Sequence, residues 1–379
     1  MSRVHGPGSR LGIMGGGQLG RMLALAARRL GYRVHVFVPG GSSPAGQVAD
    51  VEISGDYRDE KAVRAFAAGV DVLTFEFENV PAETVRWASE HCDVQPDAHA
   101  LATTQNRIRE KTFLTDSGFP LAAWAAVADA SELAAAATRL GYPCVLKTAE
   151  SGYDGKGQRK LKGPEDLLSA DLPPFPCVLE AWVPFVMEIS VVLARGSDGS
   201  TAVYPVCENI HKNHILDATV VPARIDPAAA ARAERLAADV AAKLGFVGVM
   251  AVEMFVLSDG SLLINEIAPR PHNSGHFSID ACVTDQFEQQ LRAVCGLPLG
   301  SPELLRPCAM VNLLGDLWSL GEPDWPKAAD FGDVKIHLYG KDTAKAGRKM
   351  GHLTVLGATA DAALERVRSA RAALRGAQD

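Results

Sequence analysis

Glu253 lies in the β-prone run 249–257 (VMAVEMFVL) and Glu266 in the run 262–268 (LLINEIA), with Ser258-Asp259-Gly260 between them. Two such runs around an Asp-Gly pair predict a β-hairpin. With Asp259 and Gly260 as the turn, Ser258 faces Ser261, Leu257 faces Leu262, Phe255 faces Ile264, and Glu253 stands opposite Glu266. Like charges placed opposite each other destabilise a sheet. The rest of that face, Ala251, Phe255, Leu257, Leu262, Ile264 and Ala268, is apolar, so ionised carboxylates there need a compensating cation. Mg²⁺ takes oxygen ligands of this kind and shares them with substrate phosphates. The pair therefore predicts a Mg²⁺–nucleotide site. A register slip of one residue, or carboxylates that reach solvent, would remove the need for a metal.

Two glycine-rich stretches point to phosphate. Gly15-Gly16-Gly17-Gln18-Leu19-Gly20 joins an apolar strand, 11–14, to a helix-like run, 21–30. Glycines there let a phosphate approach backbone N–H groups at the helix N-terminus. The next strand, 33–38, ends without the acid that a dinucleotide's ribose requires. A phosphorylated small molecule thus fits better than NAD, and a plain tight turn is the other reading. In the second stretch Lys147 leaves a strand, 144–148, just before SGYDGKGQ (151–158). That order suits phosphate neutralisation under a flap, but the spacing is not that of a P-loop.

Isolated acids and bases complete the polar set. Glu76 follows a strand, 70–75, at the end where open α/β sheets bind ligands; it serves equally to cap a helix starting near Pro81. Glu180 interrupts the strand 177–183, Glu188 opens 187–193, and His211 and His214 lie in ENIHKNH. The two histidines lack the companions of a zinc site. Lys341, Arg348 and Lys349 concentrate charge in a turn-rich segment, either as a phosphate grip or as a solvated loop.

These residues need a scaffold of alternating strands and helices. Three strands with intervening helices describe an N-terminal domain. Helices at 104–117, 131–140, 226–244 and 280–295 separate the later strands, and a last helix spans 361–375. At 379 residues the chain is long enough for two or three domains. A formal net charge of −7 argues against a general nucleic-acid or anionic-membrane binder. No window has the ~18 uncharged apolar residues of a membrane span. The N-terminus is broken by Gly and Pro too early for a secretory signal, and seven scattered cysteines fit free thiols in a cytoplasmic protein.

The ordered set LGIMGGGQLGRM, TFEFENV, Lys147 before SGYDGKGQ, EAWVPFVMEISV, ENIH, VEMF and NEIAPRPHNSGH resembles the ATP-grasp superfamily. Within it, the chain is similar to the 5-(carboxyamino)imidazole ribonucleotide synthetases of purine biosynthesis, from residue 11 to about 357. The resemblance implies an α/β grasp fold in three parts. These are a Rossmann-like pre-grasp domain (1–103), a two-lobed ATP-grasp domain (104–308, with a flap lobe at 121–186) and a small β-rich C-terminal domain (309–379).

It also implies roles. ATP is expected against Arg107, Lys147, the loop residues Gly152, Tyr153, Asp154, Gly155, Lys156, Gly157 and Gln158, and the hinge Glu180, Ala181, Trp182 and Val183. Glu188 would take the ribose hydroxyls, and His211, Asn265 and Glu266 would complete the pocket. Glu253 and Glu266 match the Mg²⁺ carboxylates, with Mn²⁺ as a possible substitute. Gly15, Gly16, Gly17, Gln18 and Leu19, with Lys341, Arg348 and Lys349, would grip the 5′-phosphate of aminoimidazole ribonucleotide. Glu76, Tyr153 and Asp154 would approach the imidazole. Arg270, His272 and Asn273 would meet bicarbonate, with Asp154 and Lys156 closing over the reaction. A homodimer is expected from the family. One departure stands out: position 156 is Lys where the family commonly has Arg, which keeps the charge but not the bidentate fork. The nearest alternative is another ATP-grasp ligase, such as a formate-dependent glycinamide ribonucleotide formyltransferase or a biotin carboxylase.

Overall fold

The computed structural model describes residues 3–150, 152, 155–168, 171–319 and 321–375. Tyr153 and Asp154, both expected at the site, lie outside the described residues.

The N-terminal domain is a five-stranded, all-parallel sheet. Arg10–Met14 sits at its centre, flanked by Arg33–Val38 and Val72–Phe75; Val51–Ser54 and Asp93–Val94 are the edges. The sequence reading found the three central strands and missed the edges. Val51–Ser54 is largely exposed and Asp93–Val94 has two residues, so neither carries the apolar run that marks a buried strand. The first helix, Gln18–Arg29, buries Met22, Leu23, Ala26 and Ala27 against the sheet. The expected helix 104–117 is Arg107–Asp116, started by the Asn106 side chain, which accepts from the N–H groups of Ile108 and Arg109; a separate helix, Ala98–Thr104, precedes it.

The flap lobe is a four-stranded antiparallel sheet of Trp124–Val127, Cys177–Ala181, Cys144–Thr148 and Gln158–Leu161, covered by the helix Ala130–Leu140. The remaining strands form one nine-stranded sheet. The hairpin Gly248–Val256/Leu262–Ala268 is at one end and pairs with Met187–Arg195. Strands beyond residue 308, Cys308–Leu314 and Lys349–Leu356, continue this sheet through Ile215–Val221 instead of forming one of their own. The 18-residue helix Pro227–Leu244 covers one face, where Ala233, Ala237 and Val240 meet Met254, Val256 and Ile264. The expected helix 280–295 is broken at Cys282–Asp285. Asp285 caps the second piece, Gln286–Val294, by accepting from Phe287 and Glu288.

The hairpin departs from prediction in its outer half and agrees with it at the glutamates. Leu257 pairs with Ser261 around a three-residue loop closed by Gly260 at φ +78°, in place of a two-residue turn. Phe255 therefore faces Leu263, and Met254 faces Ile264. A bulge then absorbs one residue between Ile264 and Glu266, which restores Glu253 opposite Glu266. Leu262 and Ile264 consequently belong to the core on the far face, not beside the carboxylates.

Candidate active site

The bulge places one of the expected site residues. Asn265 is the extra position, and its Oδ1 accepts from Lys147 Nζ at 3.3 Å. Lys147 also donates to Glu180 at 3.2 Å, so the flap-lobe sheet and the hairpin meet at one ammonium group. Lys111, fully buried on the helix Arg107–Asp116, reaches Glu180 from behind at 3.2 Å. Burial alone would raise the Glu180 carboxyl, but the two lysines hold it below its ordinary range. The sequence reading gave Lys111 no role. Its place one helical turn after Arg107 was the available signal.

Arg107 is anchored by donating to the carbonyls of Thr148 (3.1 Å) and Gly152 (3.0 Å), and lies 3.8 Å from Glu266. The described part of the glycine loop is tied to its strand by a bond from Thr148 N–H to Gly157 O at 2.8 Å. Gly155, at φ +77°, packs so tightly on His214 that a Cβ would lie 2.6 Å away. Lys156 and Gly157 are exposed, and Gln158 reaches towards His214. The hinge Glu180–Val183 passes from the buried Glu180 to a solvent-facing Trp182, whose ring carries Lys160 Nζ 3.2 Å from its centroid. Glu188 pairs with His211 Nδ1 at 2.9 Å; burial opposes the imidazolium, yet this carboxylate holds it above its ordinary value.

Glu253 is bound to His272 Nε2 at 3.0 Å, and His272 Nδ1 meets Ser274 Oγ at 2.8 Å. The chain continues through Ser190 (2.7 Å) to Asn209 (2.9 Å), all buried. This relay fixes the imidazole. Burial disfavours the Glu253 carboxylate, but His272 outweighs it and holds the group at about 2. Glu266 goes the other way: burial and then the facing Glu253 raise it, against Arg107, Lys147 and His272. Glu110, which accepts the Ile267 N–H at 3.1 Å, is pushed to about 8 by burial and by Glu266. The local surplus of carboxylate is what a divalent cation would relieve. Among the described residues no group of three or more His, Cys, Asp or Glu is arranged to hold a metal alone. Two carboxylates that share the ion with phosphate oxygens are the Mg²⁺ pattern, so the donor set fits Mg²⁺.

Arg270 is held by Glu78, a residue the sequence reading left without a role although it stands two positions after Glu76. Asn273, expected to meet bicarbonate, instead exchanges amide hydrogen bonds with Asn312 (3.1 and 2.7 Å) and is buried. Its part in this geometry is to anchor the loop 270–276 to the strand Cys308–Leu314.

The corner expected to hold the ribonucleotide is built differently from the sequence reading. Glu76 caps the first helix, not the one near Pro81: its carboxylate accepts from the N–H groups of Gly17 and Gly20. The turn glycines are needed because of it. A Cβ on Gly15, at φ +117°, would lie 2.2 Å from Glu76 Cγ. Part of the turn's N–H array is thus spent on a buried carboxylate, which burial pushes above its ordinary range against those two bonds. Lys341 joins this corner by donating to Gln18 Oε1 at 2.6 Å and to the Lys349 carbonyl. Gly16 lies against Ser43 and Val38, Leu19 packs in the domain core, and Arg348 is exposed, donating to the Thr343 carbonyl.

A pre-grasp α/β domain, a small antiparallel flap sheet and a carboxylate-bearing hairpin around one lysine define an ATP-grasp ligase. Residues 9–105 match the ribonucleotide synthetase preATP-grasp domain, 112–287 the ATP-grasp domain, and 308–366 the phosphoribosylaminoimidazole carboxylase C-terminal domain. The N5-carboxyaminoimidazole ribonucleotide synthase of Bacillus subtilis is 46% identical over 352 residues, covering 92% of each chain. The Staphylococcus aureus N5-carboxyaminoimidazole synthetase, solved with ADP, superposes with a TM-score of 0.91 at 36% identity, covering 98% of this chain and 99% of that one. The Aspergillus clavatus enzyme, solved with ADP and 5-aminoimidazole ribonucleotide, gives 0.88 at 34% identity over 97% and 98%. The chain belongs to the N5-carboxyaminoimidazole ribonucleotide synthase family. Among the described residues, no helix is long and apolar enough to cross a membrane.

Proposed function

We propose that this cleft carries out the ATP- and bicarbonate-dependent carboxylation of the exocyclic amine of 5-aminoimidazole ribonucleotide, giving N5-carboxyaminoimidazole ribonucleotide, ADP and phosphate. The observation that carries it is the meeting of Lys147, Glu180, Asn265 and the Glu253/Glu266 pair beside the Arg270 loop. Lys147 and Arg107 neutralise the nucleotide's phosphates, and Glu188 with His211 faces the ribose. Mg²⁺ held by Glu253 and Glu266 would offset charge on the β- and γ-phosphates.

Bicarbonate is a poor electrophile, so its oxygen first takes the γ-phosphoryl group; the P–O bond to ADP breaks and carboxyphosphate forms. Arg270 stabilises the charge that develops, since a guanidinium already in place costs no reorganisation. The amine then attacks the carboxyl carbon, or the CO₂ released from it, phosphate leaves, and the amine proton passes to that phosphate. The loop 151–158 closes over the site, with Asp154 orienting the amine, and water is kept from the intermediate. Lys341, Arg348 and Lys349 hold the ribonucleotide 5′-phosphate at the glycine turn, while Glu76 and Tyr153 meet its ring. The three-domain division at 103 and 308, Mn²⁺ as a substitute ion, a homodimer and a cytoplasmic location belong to the same proposal.

ADP release with ATP, Mg²⁺ and aminoimidazole ribonucleotide, with and without bicarbonate, is the test. Bicarbonate-dependent ADP and a carboxylated product are expected. No ADP, or equal ADP with formate in place of bicarbonate, would sink the reading. Sedimentation velocity tests the dimer.

A further inference from the structure

Two acids follow the strand Val72–Phe75, and they look in different directions. Glu76 turns into the glycine turn of its own domain. Glu78 crosses to the loop after the hairpin and binds Arg270.

The bond pattern is specific. Arg270 has five N–H donors in a planar fork. Glu78 takes the side-on edge: Nε donates to one carboxylate oxygen, and Nη2 donates to the other at 3.0 Å. Nη1 makes one long bond, to the Pro271 carbonyl at 3.3 Å. These three bonds leave one N–H on Nη1 and one on Nη2 for a further acceptor, the Nη2 one lying on the end-on edge. Arg270 and Glu78 line the same chamber as Arg107, Glu110, Glu266 and His272.

We propose that Glu78 is a positioning residue for phosphoryl transfer: by clamping Arg270 side-on, it presents the guanidinium's end-on edge to the bicarbonate and the departing γ-phosphoryl group. The inference rests on the reading of the cleft given above and adds a residue to it. A planar, bidentate pair fixes both the position and the plane of the guanidinium, which a single contact does not. Glu78 also sets where the arginine's charge goes. Glu266 and Glu253 both attract Arg270. Without Glu78 the guanidinium would turn towards those carboxylates and away from the substrate. The two anchors are short of slack, because Glu76 and Glu78 are separated by one residue and the first is fixed by two backbone N–H groups. The ribonucleotide corner and the phosphoryl-transfer corner are thereby held in register through one stretch of chain.

The test is steady-state kinetics on the full chain with ATP, Mg²⁺, bicarbonate and aminoimidazole ribonucleotide, measuring ADP and carboxylated product together. Misplacement of a reacting group by ~1 Å costs roughly 10²-fold, and Glu78→Ala is expected to lose kcat on that scale. KM for bicarbonate should rise while KM for ATP holds, and ADP should exceed product as carboxyphosphate escapes to water. Glu78→Gln, which keeps one acceptor and the shape, should fall between; it carries the test if Glu78→Ala melts early. In an Arg270→Ala background, Glu78→Ala should cost nothing further. Wild-type ADP-to-product ratios in the Glu78 variants, or losses that add to those of Arg270→Ala, would overturn the inference alone. A wild-type chain that makes no product from bicarbonate would overturn the reading beneath it as well.

Discussion

Glu253 and Glu266 are partners across the hairpin ladder, immediately inside a bulge whose extra residue, Asn265, binds Lys147. One irregularity therefore places side by side a lysine contact and a carboxylate pair, the groups proposed to meet phosphate and metal. Glu266→Ala should leave the chain folded, because the lost group is partly open to the cleft and repelled by its partner. Turnover should fall sharply. Metal-ion stabilisation of transferring charge is worth several kcal/mol, and ~1.4 kcal/mol is tenfold in rate, so the loss should be at least about 10²-fold. Circular dichroism melts beside ADP-release assays check both halves; folded protein with near-normal turnover would show the carboxylate pairing to be mistaken.

The legible parts of the sequence were those where one local rule dominated. Arg33–Val38 and Cys144–Thr148 stand where alternation and flanking punctuation put them. The Glu253–Glu266 pairing was reached through a register wrong in its outer half, because a three-residue loop and a bulge shift the ladder by one residue each and cancel. Neither device leaves a clear mark in the residue types. Long-range partnerships were harder still. Nothing local says that Glu78 belongs to Arg270, that Lys111 is buried against Glu180, or that Asn273 is spent on Asn312. Such pairs depend on how parts of the chain far apart in sequence meet, and the resemblance identified their neighbours without giving their bonds.

Glu76 is a structural anchor and, in the function proposed above, also meets the substrate ring, so its substitution should show both effects. Glu76→Ala strips two helix N-terminal N–H groups of their acceptor and opens space against Gly15. Loss of a helix cap costs about 1 kcal/mol, so the melting temperature should drop by a few degrees. KM for the ribonucleotide should rise, while ATP affinity, measured by calorimetry with a non-hydrolysable analogue, should hold. Gly15→Ala should do more damage, since it combines a positive φ with a Cβ 2.2 Å from Glu76 Cγ. A Gly15→Ala protein with wild-type stability would contradict the close approach.

Glu180 is flanked by Lys111 and Lys147, and the two lysines differ in burial. Removing Glu180 leaves Lys111 as an unpaired charge in the interior, a change that typically costs 3–5 kcal/mol. Glu180→Ala should therefore be strongly destabilised in urea. Lys147→Met leaves Lys111 to pair with Glu180, so the fold should survive while ATP binding weakens. Comparable unfolding midpoints for the two variants would refute the asymmetry.

His276 and His352 give the fold a pH limit. Both are wholly buried; their rings lie 5.1 Å apart, and each uses Nδ1 on a neighbour, Gln286 or the Tyr339 hydroxyl. Burial lowers both pKa values well below 6.5, and repulsion from neighbouring basic side chains adds to the effect. His272, Lys349, His337 and Arg270 act on His276, while His276 and His337 act on His352. Each histidine is thus neutral in the native state and takes up its proton more readily when unfolded. Stability from this source is fully present above the unfolded value of 6.5 and is lost as pH falls below it. The slope can reach about 1.4 kcal/mol per pH unit for each histidine. Urea unfolding between pH 7.5 and 5 should show a midpoint that is flat at the top and falls below about pH 6.5. His352→Gln, which keeps a neutral polar group, should flatten that fall. A variant that declines as steeply as the wild type would place the acid sensitivity elsewhere.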